Sequence, residues 1–127
     1  MTEIYVDADA CPVKDEVVRV AERHKLPVHM ISDGGIRPSR HPLVTTVIVD
    51  QGPDAADDWI AERIAKGDIA VTNDILLAVR CIESGAHVIR PNGEILDERS
   101  IGGVLATRNL MTDLRSAGKI TGGPKAF

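Results

Sequence analysis

The sequence predicts a three-layer α/β/α domain with a mainly parallel sheet of about five strands. Two observations carry this prediction. Short apolar segments rich in β-branched residues alternate along the chain with segments of helical periodicity. The length of 127 residues suits one domain with one core, and no repeat, low-complexity tract or linker interrupts residues 1–116. We therefore expect a single domain over residues 1–127, with 117–127 as a loose tail.

The first half of the chain contains three predicted strands and one predicted helix. Residues 3–6 (EIYV) form the first strand, and Pro12 opens a helix over 13–24, in which apolar residues recur at helical spacing. Residues 28–31 (VHMI) and the β-branched 43–49 (LVTTVIV) form the second and third strands. The loop between these two strands contains two glycines and two prolines.

The second half continues the alternation of helices and strands. We predict a helix at 54–66, a strand at 68–72, a helix at 73–85, a strand at 86–90, a turn that could add a short edge strand at 91–98, and a last helix at 100–118. This order favours parallel strands joined by helical crossovers.

The composition argues against several classes of function. Aromatic residues are few (Tyr5, Trp59 and Phe127), so the core should be aliphatic and a row of aromatic platforms for stacked bases is not expected. Cys11 and Cys81 form no CxxC pair, which argues against a disulfide scaffold or a zinc site. The formal charge of −4 is not that of a strongly basic nucleic-acid binder. The N-terminus lacks the features of a signal peptide and no apolar run approaches a membrane span, so we expect a cytoplasmic protein without membrane contact.

Aspartates follow three of the predicted strands. They are Asp7 and Asp9 after the first strand, Asp54, Asp57 and Asp58 after the third, and Asp74 after the fourth. Ligands of open parallel sheets bind outside the carboxyl ends of the strands, so these acids should meet at one edge. Clustered carboxylates repel one another, and a hard divalent cation such as Mg²⁺ is the usual counter-charge. The sequence therefore predicts a metal site there, on Asp7, Asp9, Asp54, Asp57 and Asp74.

Helix capping is the alternative interpretation of the same acids. Asp74 precedes a helix as an N-cap, and Asp54 with Asp57 has the spacing of a capping box. Asp7 and Asp9 fit capping less well, because only one of them can cap the following helix and burying an unpaired carboxylate is costly. Both interpretations stay open at this point.

Basic residues that could contact phosphate lie in two segments. Arg37 and Arg40 follow the second strand, at the same edge as the acids, and Arg108 lies on the last helix beside its apolar stripe. Arg37 and Arg40 could instead be solvated loop residues, and Arg108 could pair with an internal aspartate.

Two other chemistries fit less well. The letters DADAC resemble the DxDx[TV] motif of haloacid dehalogenase phosphatases, but position 11 is Cys, and the Gly67–Asp68 pair precedes a strand rather than following one. Cys11 as a nucleophile would sit beside two carboxylates, which disfavour its thiolate. We interpret Cys11 as a packing residue.

Four segments together resemble the YaiI/YqxD family of bacterial proteins of unknown function: VDADACPVKDEVVRVAERHKLPVHMIS, GPDAADDWIAERI, DIAVTNDILLA and RNLMTDLRSAG…TGGP. The resemblance covers nearly the whole chain and implies a PIN-like domain, a fold whose members hold Mg²⁺ or Mn²⁺ at strand-end acids and are in many cases ribonucleases. By position, Asp7 and Asp9 match the family's first-strand acids, Asp54 and Asp57 its D-x-x-A-D segment, and Asp74 its T-x-D-I segment. The resemblance also implies a further short helix after GGP, whereas the chain ends at Phe127.

These observations predict a phosphodiester hydrolase that depends on Mg²⁺ or Mn²⁺ and acts on RNA or single-stranded nucleic acid. A non-catalytic PIN-like module that binds nucleic acid or protein is the main alternative, and a small phosphomonoesterase is a third.

Overall fold

The fold is built on a six-stranded sheet with helices on both faces. A computed structural model describes residues 2–52 and 54–102. The strands are β1 (Ile4–Asp7), β2 (Val28–Ser32), β3 (Val44–Ile48), β4 (Ile69–Val71), β5 (His87–Ile89) and β6 (Ile95–Leu96), and the helices are α1 (Lys14–His24), α2 (Ala55–Arg63) and α3 (Ile75–Glu83). Residues 98–102 begin a further helix. Most of the predicted last helix, the predicted tail and Arg108 lie outside the described residues.

The strand order is β3-β2-β1-β4-β5-β6, and all neighbours are parallel except β5 and β6. Ile4 of the central strand β1 is in register with Val28 of β2 and Ile69 of β4. The mainly parallel sheet predicted from the sequence is confirmed. The turn at 91–98 supplies a short antiparallel edge strand, so the sheet has six strands within residues 2–52 and 54–102.

Two apolar clusters lie on opposite faces of this sheet and confirm the three-layer arrangement. On one face, Val6 and Met30 pack with Ala21 of α1. On the other face, Ile60 of α2 and Leu77 of α3 belong to the second cluster. Right-handed crossovers account for the division, because α1 leads from β1 toward β2, whereas α2 and α3 lead across the sheet in the opposite direction. No helix in the described part of the chain has the length and apolar character needed for a membrane span.

Candidate functional site

The candidate site lies in a crevice at the carboxyl ends of β1 and β4. The chain leaves β1 toward one side of the sheet and leaves β4 toward the other, so the two strands flank the point at which the strand order reverses. Such a point is where open α/β sheets bind their ligands. Asp7 is the last residue of β1, and Thr72 and Asp74 follow β4 directly. The acidic segments that follow the first and fourth strands are therefore neighbours.

The buried Thr72 connects the two strand ends through its hydroxyl group. Its Oγ1 donates to Asp7 Oδ2 at 3.2 Å and accepts from the backbone N–H of Asp74 at 3.0 Å. The side chain of Thr72 is 1% exposed, so these bonds fix the carboxylate of Asp7 against the start of α3. We did not predict this role for Thr72. The available signal was a hydroxyl residue that ends the apolar strand segment IAVT.

Asp74 caps α3 and also faces a second carboxylate. Its Oδ1 accepts from Leu77 N at 3.1 Å, so the capping interpretation of Asp74 is confirmed. Asp57, in the first turn of α2, lies within hydrogen-bond reach of the Asp74 carboxyl group. The two residues come from different strand–helix connections and form a carboxylate pair.

The electrostatics show that three aspartates interact at this crevice. Burial, the hydrogen bond with Asp74 and the negative charges of Asp74 and Asp7 raise the pKa of Asp57 to about 7. Burial also raises the pKa of Asp7 above its ordinary value, and the charges of Asp74 and Asp9 add to that effect. Asp7, Asp57 and Asp74 are thus drawn together by the fold against their mutual repulsion.

Asp54 and Asp58 flank Asp57 but differ from it in their surroundings. Asp54 is the N-cap residue of α2, yet its side chain makes no capping hydrogen bond, so the predicted capping box of Asp54 and Asp57 is wrong. The exposed Asp54 contributes negative charge to the environment of Asp57. Asp58 accepts a hydrogen bond from Arg80 Nη1 at 2.8 Å and is thereby paired away from the crevice.

Asp9 lies on a short 3₁₀ turn (Ala8–Ala10) after β1 and anchors the loop after β2. Its Oδ1 accepts from the buried Ser32 Oγ at 2.6 Å, and its Oδ2 accepts from Asp33 N at 2.8 Å. Burial alone would raise the pKa of Asp9, but these hydrogen bonds outweigh burial and lower it below 3.8. Both oxygens of Asp9 are therefore hydrogen-bonded within the protein, and its role as a metal ligand stays a prediction.

Lys14, a second residue that the sequence did not single out, holds the same 3₁₀ turn. Its Nζ donates to the carbonyl oxygens of Ala8 at 3.1 Å and Cys11 at 2.7 Å. Its positive charge also helps to lower the pKa of Asp9. A lysine placed four residues after the turn ends was the available signal.

The ion pairs of the described residues leave the acidic crevice without a bound cationic side chain. Among the ion pairs of the described residues, none involves Asp7, Asp57 or Asp74. The same residues contain no group of three or more His, Cys, Asp or Glu side chains arranged to hold a metal ion. The carboxylate oxygens nevertheless suit a hard divalent cation, since Mg²⁺ keeps several waters and commonly uses only one or two carboxylates. The Asp57–Asp74 pair, with Asp7 beside it, fits this limited requirement.

Two of the three predicted phosphate contacts, Arg37 and Arg40, lie on the loop that follows β2. Arg37 and Arg40 are exposed, and neither forms an ion pair within the part of the chain that the structure describes. Arg37 contributes to a cavity of about 270 Å³ between this loop and α1. A separate cavity of about 290 Å³, beside α1 and β4, has none of the predicted site residues in its lining.

Cys11 is buried and its surroundings do not favour a thiolate. It is 2% exposed and packs in the apolar cluster under α1. Burial raises the pKa of its thiol, which is the opposite of what a cysteine nucleophile requires. The interpretation of Cys11 as a packing residue agrees with this environment.

Comparison with known proteins gives relatives along the whole chain. The family described as "Uncharacterized BCR, YaiI/YqxD family" matches residues 5–127. A UPF0178 protein of Rhodopseudomonas palustris is 65% identical over 127 residues, which cover all of this chain and 80% of that protein. UPF0178 proteins of Bradyrhizobium diazoefficiens and Azorhizobium caulinodans are each 60% identical, over 99% and 98% of this chain and 75% and 78% of their own lengths. No solved structure matches the chain. The resemblance that the sequence motifs indicated is confirmed, and the chain belongs to the YaiI/YqxD family of uncharacterised bacterial proteins.

Proposed function

We propose that this protein is a phosphodiester hydrolase that depends on Mg²⁺ or Mn²⁺ and cleaves RNA or single-stranded nucleic acid at the crevice between β1 and β4. One observation carries the proposal: Asp7, Asp57 and Asp74 interact at the point where the strand order reverses, and no ion pair among the described residues offsets their charge. An arrangement that is unfavourable for the isolated protein becomes favourable when a cation occupies it.

The Asp57–Asp74 pair would hold the cation, with Asp7 beside it and with Asp54 and Asp9 at the periphery. A bound Mg²⁺ or Mn²⁺ would offset phosphate charge and lower the pKa of a water for attack on phosphorus. Thr72 keeps the Asp7 carboxylate in place, and capping leaves one oxygen of Asp74 outside the bond to Leu77. Asp9 would act mainly on the loop that carries Arg37 and Arg40, since its own oxygens are bonded to Ser32 and Asp33.

Protons and the cation should compete for the Asp57–Asp74 pair. Metal ligands must be deprotonated, and the pKa of Asp57 is about 7. Affinity for Mn²⁺ should therefore rise as the pH increases through about 7. Arg37 and Arg40 would contact the phosphates of the bound strand, because a guanidinium can donate two parallel hydrogen bonds to one phosphate.

A cleavage assay with matched aspartate variants tests the proposal. Wild type, Asp7→Asn and Asp58→Asn are incubated with a panel of single-stranded RNAs in Mn²⁺ or EDTA, and Mn²⁺ binding is measured by calorimetry. Asp58→Asn is the control because it also removes one negative charge. Asp58 is exposed, adjoins Asp57 in the sequence and already pairs with Arg80. We expect Asp7→Asn alone to lose Mn²⁺-dependent cleavage and to bind Mn²⁺ more weakly. Equal trace cleavage by wild type and Asp7→Asn would end the catalytic proposal.

Binding without turnover is the second candidate function. It is favoured by the absence, within the described residues, of a ready group of three metal-ligating side chains. The same RNAs then bind to wild type in EDTA, with an affinity that falls as salt increases, and stay intact when Mn²⁺ is added.

A further inference from the structure

We propose that the cavity between α1 and the loop after β2 is a subsite for one nucleotide of the substrate strand, next to the acidic crevice. The inference rests on the proposed function, because it assigns the cavity to the strand whose phosphodiester would be cleaved there. It adds a binding site that the acidic residues themselves do not provide.

The cavity has a volume of about 270 Å³ and lies between the beginning of α1, the middle of β2 and β3, and the loop after β2. Its lining consists of Lys14, Asp15 and Val18 of α1, Met30 of β2, Ile36, Arg37, Pro38 and Ser39 of the loop, and Thr46 of β3. This volume is just below the lower end of the range of about 300–1,000 Å³ for small-molecule pockets. It limits the occupant to about one nucleotide rather than a longer stretch of strand.

Three polar groups in the lining lack a full set of partners. Arg37 forms no ion pair with any residue that the structure describes. Lys14 uses two of the three N–H bonds of its ammonium group, on Ala8 and Cys11, which leaves one donor. The Thr46 hydroxyl is shielded from solvent without a hydrogen-bond partner among the described residues, and an unmade bond of this kind costs about 1–3 kcal/mol.

The rest of the wall is mainly apolar. Val18, Met30, Ile36 and Pro38 offer aliphatic surface and no aromatic ring. A ribose or a base could pack against these side chains, while Arg37 and Lys14 face its phosphate. Without a stacking platform or a dense set of base-edge partners, the subsite should accept different bases with similar affinity.

Asp9 links this cavity to the acidic crevice. Lys14 holds the 3₁₀ turn that carries Asp9, and Asp9 in turn binds Ser32 and Asp33 at the beginning of the loop. The loop also passes close to the Asp9 carboxylate, because a Cβ on Gly35 would lie 3.7 Å from Asp9 Oδ1. A strand that places one nucleotide in the cavity would therefore continue along the carboxyl edge of the sheet toward Asp7.

Binding of adenosine 5′-monophosphate, with adenosine as the uncharged comparison, tests the subsite. The measurement is the Kd in EDTA, by calorimetry, for wild type, Arg37→Gln, Asp15→Asn and Arg23→Gln. Arg23 lies in the last turn of α1, at the end opposite Lys14, and serves as a control of equal charge. We expect Arg37→Gln to weaken AMP binding about tenfold, which corresponds to the loss of one charge-assisted contact of about 1.4 kcal/mol. Asp15→Asn should strengthen AMP binding, Arg23→Gln should leave it unchanged, and adenosine should bind all four proteins weakly.

The outcomes separate the subsite from the hydrolase. Any one of three results overturns the subsite, even if RNA is cleaved. These are no AMP binding at millimolar concentration, an equal Kd of AMP for wild type and Arg37→Gln, and adenosine binding as tight as that of AMP. Binding of AMP that depends on Arg37, together with no Mn²⁺-dependent cleavage by wild type, supports the subsite and removes the hydrolase function.

Discussion

Replacement of Asp57 by asparagine should make the protein more stable at alkaline pH. The pKa of Asp57 is about 7 in the folded protein, against an ordinary value of 3.8. Between these two pH values the folded state binds more protons than the unfolded state, so the free energy of unfolding falls as the pH rises. The stabilising contribution of the protonated carboxyl is complete below about pH 4 and is lost through about pH 7.

The size of the effect follows from that difference. A pKa difference of about 3, at 1.36 kcal/mol for each pKa unit, corresponds to about 4 kcal/mol. Solvent reaches part of the Asp57–Asp74 pair and screens the repulsion, so we expect about half of this, or roughly 2 kcal/mol. Asparagine keeps the size of the side chain and a donor toward Asp74 but cannot ionise. The variant should therefore match wild type near pH 4 and exceed its stability at pH 8.

Urea unfolding at pH 4, 6 and 8 in EDTA measures the difference. Asp7, whose pKa is also raised, is present in both proteins. The difference between their free energies of unfolding at each pH therefore isolates the contribution of the pair that contains Asp57. The control is Asp58→Asn, which loses an exposed ion pair with Arg80 worth about 0–1 kcal/mol. The reasoning is refuted if Asp57→Asn is less stable than wild type at pH 8, or if its effect is the same at every pH.

Two further predictions concern buried groups near the site. Ser32→Ala removes the hydroxyl that donates to Asp9 and accepts from Gly34 N, so it should lower the free energy of unfolding by about 1–3 kcal/mol and raise the pKa of Asp9. Urea unfolding measures the change in stability, and a carboxyl NMR titration measures the pKa of Asp9. Ser39→Ala in the exposed loop is the control. An unchanged pKa of Asp9 in Ser32→Ala would contradict the assigned hydrogen bond. Burial raises the pKa of Cys11 and raises that of Cys81 to about 12, so thiol reagents at pH 8 should label the unfolded protein much faster than the native one. Rapid labelling of the native protein would show that one of these thiols is accessible.

The fold could be predicted from the sequence because the hydrophobic patterns of its strands and helices are distinct. Buried parallel strands are short apolar runs, and the helices between them show periodic apolar faces, so element order and sheet type follow from local pattern. The strand at Ile95–Leu96 has only two residues, and its pairing with β5 depends on the turn before it. A strand this short has too little periodicity to be recognised with certainty from the letters alone.

The candidate site was predictable only in outline. The rule for open sheets brings the acidic segments to one edge, but it does not say which carboxylate turns inward. Asp57 and Asp58 are neighbours on α2, and a rotation of about 100° for each residue sends one toward Asp74 and the other toward Arg80. The roles of Thr72 and Ser32 likewise depend on which strand ends become neighbours, which the strand order decides.

Capping and metal binding are compatible interpretations of these aspartates. A helix N-terminus favours a nearby carboxylate by about 0.3–1 kcal/mol, and both α2 and α3 begin at the crevice. That gain helps to explain why aspartates can occupy these positions, but it does not balance the cluster, since the pKa of Asp57 remains about 7. A sequence selected for capping alone would gain by placing an uncharged residue at position 57. On the proposed function, this remaining negative charge would be offset by a bound cation, and Asp57→Asn should separate fold stability from cation binding by gaining stability in EDTA while losing affinity for Mn²⁺.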